Sequence, residues 1–153
     1  MVTTLSAMFC PFCDLISDPH NPLVVEVAAE TSVLLDHAPV FLGHALVIPT
    51  DHVEHLLVAS PETVAQVAHR TQAVARASVA AFGTDGVLTV TNTVISQSVP
   101  HLHTHVIPRR HKDGLRGFLW PRQRYASDTE LIDYRDRLRD ALHGYCAPQR
   151  TKQ

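Results

Sequence analysis

Three histidines alternate with other residues in the segment Gln97-Ser98-Val99-Pro100-His101-Leu102-His103-Thr104-His105-Val106-Ile107-Pro108. An alternation of period two is the signature of a β-strand, so His101, His103 and His105 are expected on one face, each about 6.6 Å from the next. Leu102, Thr104 and Val106 then point the other way, into packing. A row of imidazoles makes a poor core, and histidine has no strand preference that would place three of them there by chance. Neutral imidazole carries a nucleophilic nitrogen and titrates near neutral pH. It is suited to attack on phosphorus, to proton transfer and to metal ligation.

The rest of the chain reads as one layered domain. Strands are expected at Leu23–Val27, Ser32–Leu35, His44–Ile48, Gly86–Asn92 and Val99–Ile107, the last closed by Pro108, which has no N–H for a ladder. One helix opens at Ser60, with Pro61 at its first position and Glu62 in its first turn, and Gly83 is placed to end it. Val64, Val67, Ala68, Thr71, Val74, Ala75, Ser78 and Val79 give it a single packing stripe. A second helix starts at Ser127 with Glu130 completing a capping box, carries Leu131, Tyr134, Leu138 and Leu142 on one side, and is expected to stop at Gly144. The order of strands, helix, strands, helix favours an α+β fold with an antiparallel sheet of about five strands and two helices.

A length of 153 residues suits one domain, residues 1–153, with its core at about 10–110 and a basic loop and helix beyond. With 45% hydrophobic and 18% charged residues the chain is globular rather than disordered. No apolar run reaches the roughly 18 residues that cross a bilayer, and residues 1–5 carry no Lys or Arg to open a secretory segment. A cytoplasmic protein with no membrane partner is expected. The net charge of −2 hides an asymmetry: no Lys or Arg precedes Arg70, while Arg109, Arg110, Lys112, Arg116, Arg122 and Arg124 crowd into sixteen residues opposed only by Asp113. Such a stretch either attracts a polyanion or serves as a solvated surface. With the whole chain slightly negative and no separate nucleic-acid domain in view, a nucleic-acid partner is not expected. The three cysteines, an odd number, argue against a disulfide framework. Cys10 and Cys13 form a CxxC half-site for zinc, or else two buried small hydrophobes.

His101-Leu102-His103-Thr104-His105-Val106-Ile107-Pro108 resembles the signature of the histidine-triad (HIT) family, with Thr104 departing mildly from an apolar slot. The resemblance runs from Cys10 to about Arg110 and takes in Phe12-Cys13, Leu34-Leu35-Asp36, Gly43-His44-Ala45-Leu46-Val47-Ile48-Pro49 with His52, and Gln97-Ser98. It implies an α+β homodimer whose sheets join into one. It also implies a nucleotide hydrolase or transferase in which the middle histidine, His103, attacks the α-phosphorus and forms a nucleotidyl-histidine. His105 and His44 would meet the phosphate oxygens and Ser98 the leaving group. Asp36 would hold the ribose hydroxyls, Phe12, Leu15, Leu34 and His37 would line the base pocket, and Asn92 and Gln97 would lie at the nucleotide. By the same resemblance, to the zinc-bearing Hint-like branch, Cys10, Cys13, His52 and His101 would hold a structural Zn2+. Read from the residues alone, Phe12, Leu15 and Leu34 suit a core equally well, and Asp36 suits a turn ahead of Pro39.

The chain departs from the family where many members carry a glycine-bearing loop: here Asn92 is followed by Thr93-Val94-Ile95-Ser96. The leading expectation is a hydrolase of purine nucleoside phosphoramidate-like substrates. The alternatives are a dinucleoside polyphosphate hydrolase resembling the Fhit-like branch, which the CxxC pair disfavours, and a nucleotide-binding module with little turnover, for which His103 would be superfluous.

Overall fold

The computed structural model of the chain describes residues 10–18, 20–115 and 124–146, with side chains to residue 141. They form two compact units, Met1–Gly114 and Leu115–Gln153. In the first unit the elements run α1 (Pro11–Ser17), β1 (Val24–Val27), β2 (Thr31–Leu35), β3 (Ala45–Pro49), α2 (Pro61–Phe82), β4 (Gly86–Val90) and β5 (Thr104–Arg109). The second unit contributes α3 (Asp128–Cys146). The five strands make one antiparallel sheet in the order β1-β2-β3-β5-β4. The expected α+β class and strand number hold, with three helices rather than two.

The two faces of the sheet bury different sets. Val33, Ala45, Val47, Leu102 and Val106 pack with Val67 of α2, while Leu34, Leu46 and Ile48 pack with Cys10 and Phe12 of the α1 segment. Strand alternation sorts these residues, because odd positions of β3 face α2 and even ones face α1. The caps of α2 are local in origin. Ser60 accepts the Thr63 N–H at 3.1 Å, and Gly83 ends the helix in the left-handed conformation at φ 57°. α3 opens on its capping residues: Ser127 Oγ accepts the Glu130 N–H at 3.2 Å, and the Glu130 carboxylate accepts the Ala126 N–H at 2.6 Å. It runs through Gly144 to Cys146, past the expected stop. Its Leu131, Tyr134 and Leu138 are exposed, and Leu142 lies outside the described side chains.

The triad strand starts later than its sequence pattern implies. β5 begins at Thr104, whereas residues 101–103 lie outside the sheet, tied down where the Leu102 N–H donates to the Val53 carbonyl at 2.7 Å. Side-chain alternation survives this break, since Leu102 belongs to the α2 face and His103 packs on Phe12 of the opposite face. β5 also continues through Pro108 to Arg109, because β3 pairs with it only at 104–106 and leaves one side of Pro108 without a strand neighbour.

Arg110 and His111 of the basic stretch face the end of α2. The Arg110 guanidinium donates to the Gly83 and Phe82 carbonyls at 2.8 and 2.6 Å, closing the helix C-terminus. The His111 N–H donates to Asp85, and Arg109 pairs with Asp113. Residues 116–123, with Gly117, Trp120 and Pro121, lie outside the described residues.

Candidate functional site

His44 is set by its neighbours before it does any chemistry. Gly43 just before it has φ +88°, and a Cβ there would meet the Phe82 ring at 2.5 Å, so only glycine admits both this turn and the close approach of α2. The Val40 N–H donates to His44 Nδ1 at 3.2 Å, which leaves the proton of the neutral ring on Nε2. His44 Nε2 then donates to His105 Nδ1 at 2.9 Å. His105 in turn carries its own proton on Nε2, free of that bond.

His103 is oriented by a different bond. Its Nδ1–H donates to the His101 carbonyl at 2.6 Å, leaving Nε2 with an unprotonated lone pair. The ring is only 2% exposed. It is held edge-on by Phe12, with centroids 5.2 Å apart, and lies 4.9 Å from the His105 ring. A lone pair on one imidazole thus sits beside an N–H on the next, the pairing needed for attack on phosphorus with stabilisation of its oxygens.

Burial pushes His105 down to about 4, with His103 and His44 adding to the fall and Asp36 opposing it. His44 is likewise lowered, by burial against the pull of Asp36. Both rings are therefore neutral near pH 7. Asp36 follows β2 and divides its carboxylate. Oδ1 accepts the Ala38 N–H at 2.8 Å, the turn expected ahead of Pro39. Oδ2 stands 3.7 Å from His44 Nδ1 and 4.0 Å from His105 Nδ1, beyond hydrogen-bonding range but close enough to act on both electrostatically.

A second cluster lies next to the first. Cys10, Cys13, His52 and His101 bring one ligating atom each to within 4.8 Å of the others. His101 Nδ1 is 3.3 Å from Cys10 Sγ and 3.6 Å from Cys13 Sγ, and His52 Nδ1 is 3.5 Å from Cys13 Sγ. Ligand atoms on a tetrahedral zinc stand about 3.3 to 3.8 Å apart, given bonds of about 2.0 to 2.3 Å, so the spacing fits. The His101 Nε2–H donates to the Pro49 carbonyl at 2.9 Å, which holds Nδ1 deprotonated and aimed at the thiols. Burial, with Cys10 as neighbour, pushes the Cys13 thiol up to about 12, and a dication is the charge that would hold both sulfurs as thiolates there. The arrangement can bind a tetrahedral metal and pin α1 to the triad segment.

The remaining expected residues divide. Phe12 is buried against His103, and Leu15 is half-buried beside it. Leu34 is 0% exposed, in the cluster that also holds Phe12. His37 is 85% exposed, with its ring near Asp36. The Gln97 amide accepts the Val94 N–H at 3.0 Å and donates to the Glu54 and Val99 carbonyls at 2.7 and 3.0 Å, so it holds its loop together. Ser98 follows it, exposed in the same loop, and Asn92 is half-buried beyond β4. The glycine-free loop takes left-handed conformations without glycine, at Val94 (φ 65°) and Ser96 (φ 60°), a strain of about 1–3 kcal/mol each. Sequence reasoning missed Val40, whose backbone fixes the His44 proton, and Pro49, whose carbonyl orients His101. Backbone donors and acceptors leave no residue-type signal.

A family profile described as the HIT domain matches residues 22–112. The chain belongs to the histidine-triad family. Protein hit of Bacillus subtilis is 34% identical over 113 residues, covering 72% of this chain and 78% of that one. A protein of Schizosaccharomyces pombe named adenosine 5'-monophosphoramidase is 30% identical over 116 residues, 74% of this chain and 84% of its own length. A protein of Arabidopsis thaliana named adenylylsulfatase is 31% identical over 108 residues, 69% of this chain but 55% of its own length. Among solved structures, a HIT family protein of Bacillus subtilis superposes with a TM-score of 0.74 at 29% identity, covering 86% of this chain and 95% of that one. A zinc-bound histidine-triad protein of Mycobacterium smegmatis superposes with a TM-score of 0.67 at 33% identity, covering 88% and 99%. The fold is thus that of the family. No helix among the described residues is long and apolar enough to cross a membrane.

Proposed function

We propose that this histidine-triad protein hydrolyses or transfers nucleotides at the α-phosphate through a covalent intermediate on His103, with purine nucleoside phosphoramidate-like conjugates as substrates. The observation that carries the reading is the tautomer of His103, whose Nδ1–H is held by the His101 carbonyl so that Nε2 is free to attack. In the first step Nε2 bonds to phosphorus and the bond to the leaving group breaks, with Ser98 or water supplying a proton to the departing atom. The positive charge that results on the imidazole is shared with the His101 carbonyl through Nδ1–H. The His105 Nε2–H stabilises the phosphate oxygens, with the His44 Nε2–H holding His105 in that tautomer, and water then displaces His103. Asp36 receives the ribose hydroxyls on the carboxylate oxygen left outside its turn. The relatives named for adenosine phosphoramidate and adenylyl sulfate chemistry support an adenylyl substrate.

Zinc is the metal proposed for Cys10, Cys13, His52 and His101, supported by the tetrahedral spacing and by the zinc-bound relative. It would supply structural rigidity and take no part in the displacement, since a closed set of four ligands leaves no open position. A homodimer with a joined sheet, a single domain spanning the chain, and a cytoplasmic location complete the reading. The test is a rate comparison of the purified protein on adenosine 5'-phosphoramidate, its guanosine counterpart and diadenosine polyphosphates. Phosphoramidates turning over fastest is the expected order, and a preference for the polyphosphates would move the protein to the alternative branch.

A further inference from the structure

Among the described residues, metal-ligating side chains converge in two places, and the second is the group Asp36, His44 and His105. Its three side chains bring one ligating atom each to within 4.8 Å of the others. His44 Nε2 and His105 Nδ1 are 2.9 Å apart, and Asp36 Oδ2 stands 3.7 and 4.0 Å from the Nδ1 atoms of His44 and His105. Two imidazoles and one carboxylate on one side make a facial set that binds divalent transition metals and leaves positions open. Ligand atoms at adjacent positions of an ion with bonds of about 2.1 Å stand about 3.0 to 3.4 Å apart. His44 Nε2 and His105 Nδ1 already stand at about that spacing, and Asp36 Oδ2, 4.0 Å from His105 Nδ1, must be drawn in toward them.

The surroundings favour this use. The Asx turn to the Ala38 N–H anchors Oδ1 and so pre-aims Oδ2. His44 is 3% exposed, and His105 and Asp36 are 17% and 16% exposed, enclosed yet open to an entering ion. His105 Nδ1 turns a lone pair toward the site, and ligation through His44 Nε2 displaces the proton that bridges the two rings. This group lacks thiolates, so it ranks below the Cys10–Cys13 cluster for zinc and suits a more exchangeable ion.

We propose that Asp36, His44 and His105 form a second, exchangeable divalent-cation site, and that an ion there excludes the nucleotide. The inference rests on the functional reading above in one respect: the same three groups are those assigned to the ribose and phosphate. An ion on Asp36 Oδ2 removes the acceptor for the ribose hydroxyls. Its entry also breaks the His44–His105 hydrogen bond and turns His105 from the phosphate oxygens. Divalent transition metals beyond the structural equivalent then act as competitive inhibitors, relieved by substrate and by chelators too weak to strip the thiolate site.

The test uses the full chain carrying one equivalent of zinc, verified by elemental analysis, titrated with Co2+. One further equivalent is expected, with the weak visible absorption of nitrogen- and oxygen-ligated cobalt and no thiolate charge-transfer band, and AMP is expected to displace it. Asp36→Asn preserves the turn, since the asparagine oxygen still accepts the Ala38 N–H. It is expected to retain its zinc and lose the cobalt equivalent. No cobalt binding by the wild type, a thiolate charge-transfer band, unchanged binding by Asp36→Asn, or cobalt that AMP leaves in place would each overturn the proposal. Failure of AMP to bind the cobalt-free protein is separate: it would count against the functional reading.

Discussion

His101 and His105 lie four residues apart on the same side of the chain, yet their surroundings make them different reagents. His101 is wholly buried, gives its Nε2–H to the Pro49 carbonyl and turns Nδ1 toward two sulfurs. His105 keeps its Nε2–H free, receives a proton bond from His44 at Nδ1 and has a carboxylate close by. Burial lowers both rings to about 4, so their titration does not distinguish them. Their partners do: soft thiols commit one imidazole to a closed tetrahedral site, and N–H and carboxylate groups leave the other facing a pocket. His103 sits between them, fixed by the backbone of the first and neighbouring the ring of the second.

The largest effect expected separates chemistry from scaffold. His103→Ala should lower turnover by several orders of magnitude while the protein stays folded and keeps its metal content near wild type. A variant that keeps a tenth of the wild-type rate would remove His103 from the nucleophile's place.

Cys13→Ala attacks the other side. It should release the metal, lower the melting temperature by several degrees and leave a measurable part of the activity, as read by elemental analysis, calorimetry and rate together. Loss of all activity with the metal retained would merge the two regions into one functional unit.

Asp36→Ala should raise KM for ribonucleotide substrates about tenfold and change kcat less, because its carboxylate is remote from phosphorus. Equal losses on ribose and 2',3'-dideoxyribose substrates would deny it the ribose.

How much of this was legible in the sequence depended on range. Both ends of α2 could be read because Ser60, Pro61 and Gly83 act within a turn of themselves. The capping residues of α3 were readable for the same reason. The seven-residue α1 escaped notice, since so short a helix is stabilised by packing Phe12 under the sheet rather than by its own propensities. The start of β5 was misplaced because the alternation of His101, His103 and His105 persists through a segment held by Val53 outside the ladder. The basic stretch could be a polyanion-binding or a solvated surface by composition, and only the fold shows that its Arg110 binds the Gly83 carbonyl at the end of α2, 27 positions back. Leu34 suits core or pocket by type, and its complete burial was not legible in the sequence.

The smallest effect concerns acid. His105 has its ordinary value of 6.5 in the unfolded chain and about 4 in the folded one. Between those limits the unfolded state binds the extra proton, so the contribution of neutral His105 is intact above pH 6.5 and is lost progressively as pH falls toward 4. His105→Gln should flatten that part of the stability curve, read as melting temperature against pH.

Covalent catalysis by His103 is tested most directly by trapping. The full-length protein mixed with adenosine 5'-phosphoramidate, quenched within one turnover in alkali and digested, should yield a peptide containing His103 that carries one adenylyl group on Nε2, absent from His103→Ala. An unmodified protein during product formation, or the adenylyl group on His105 or His101, would contradict it.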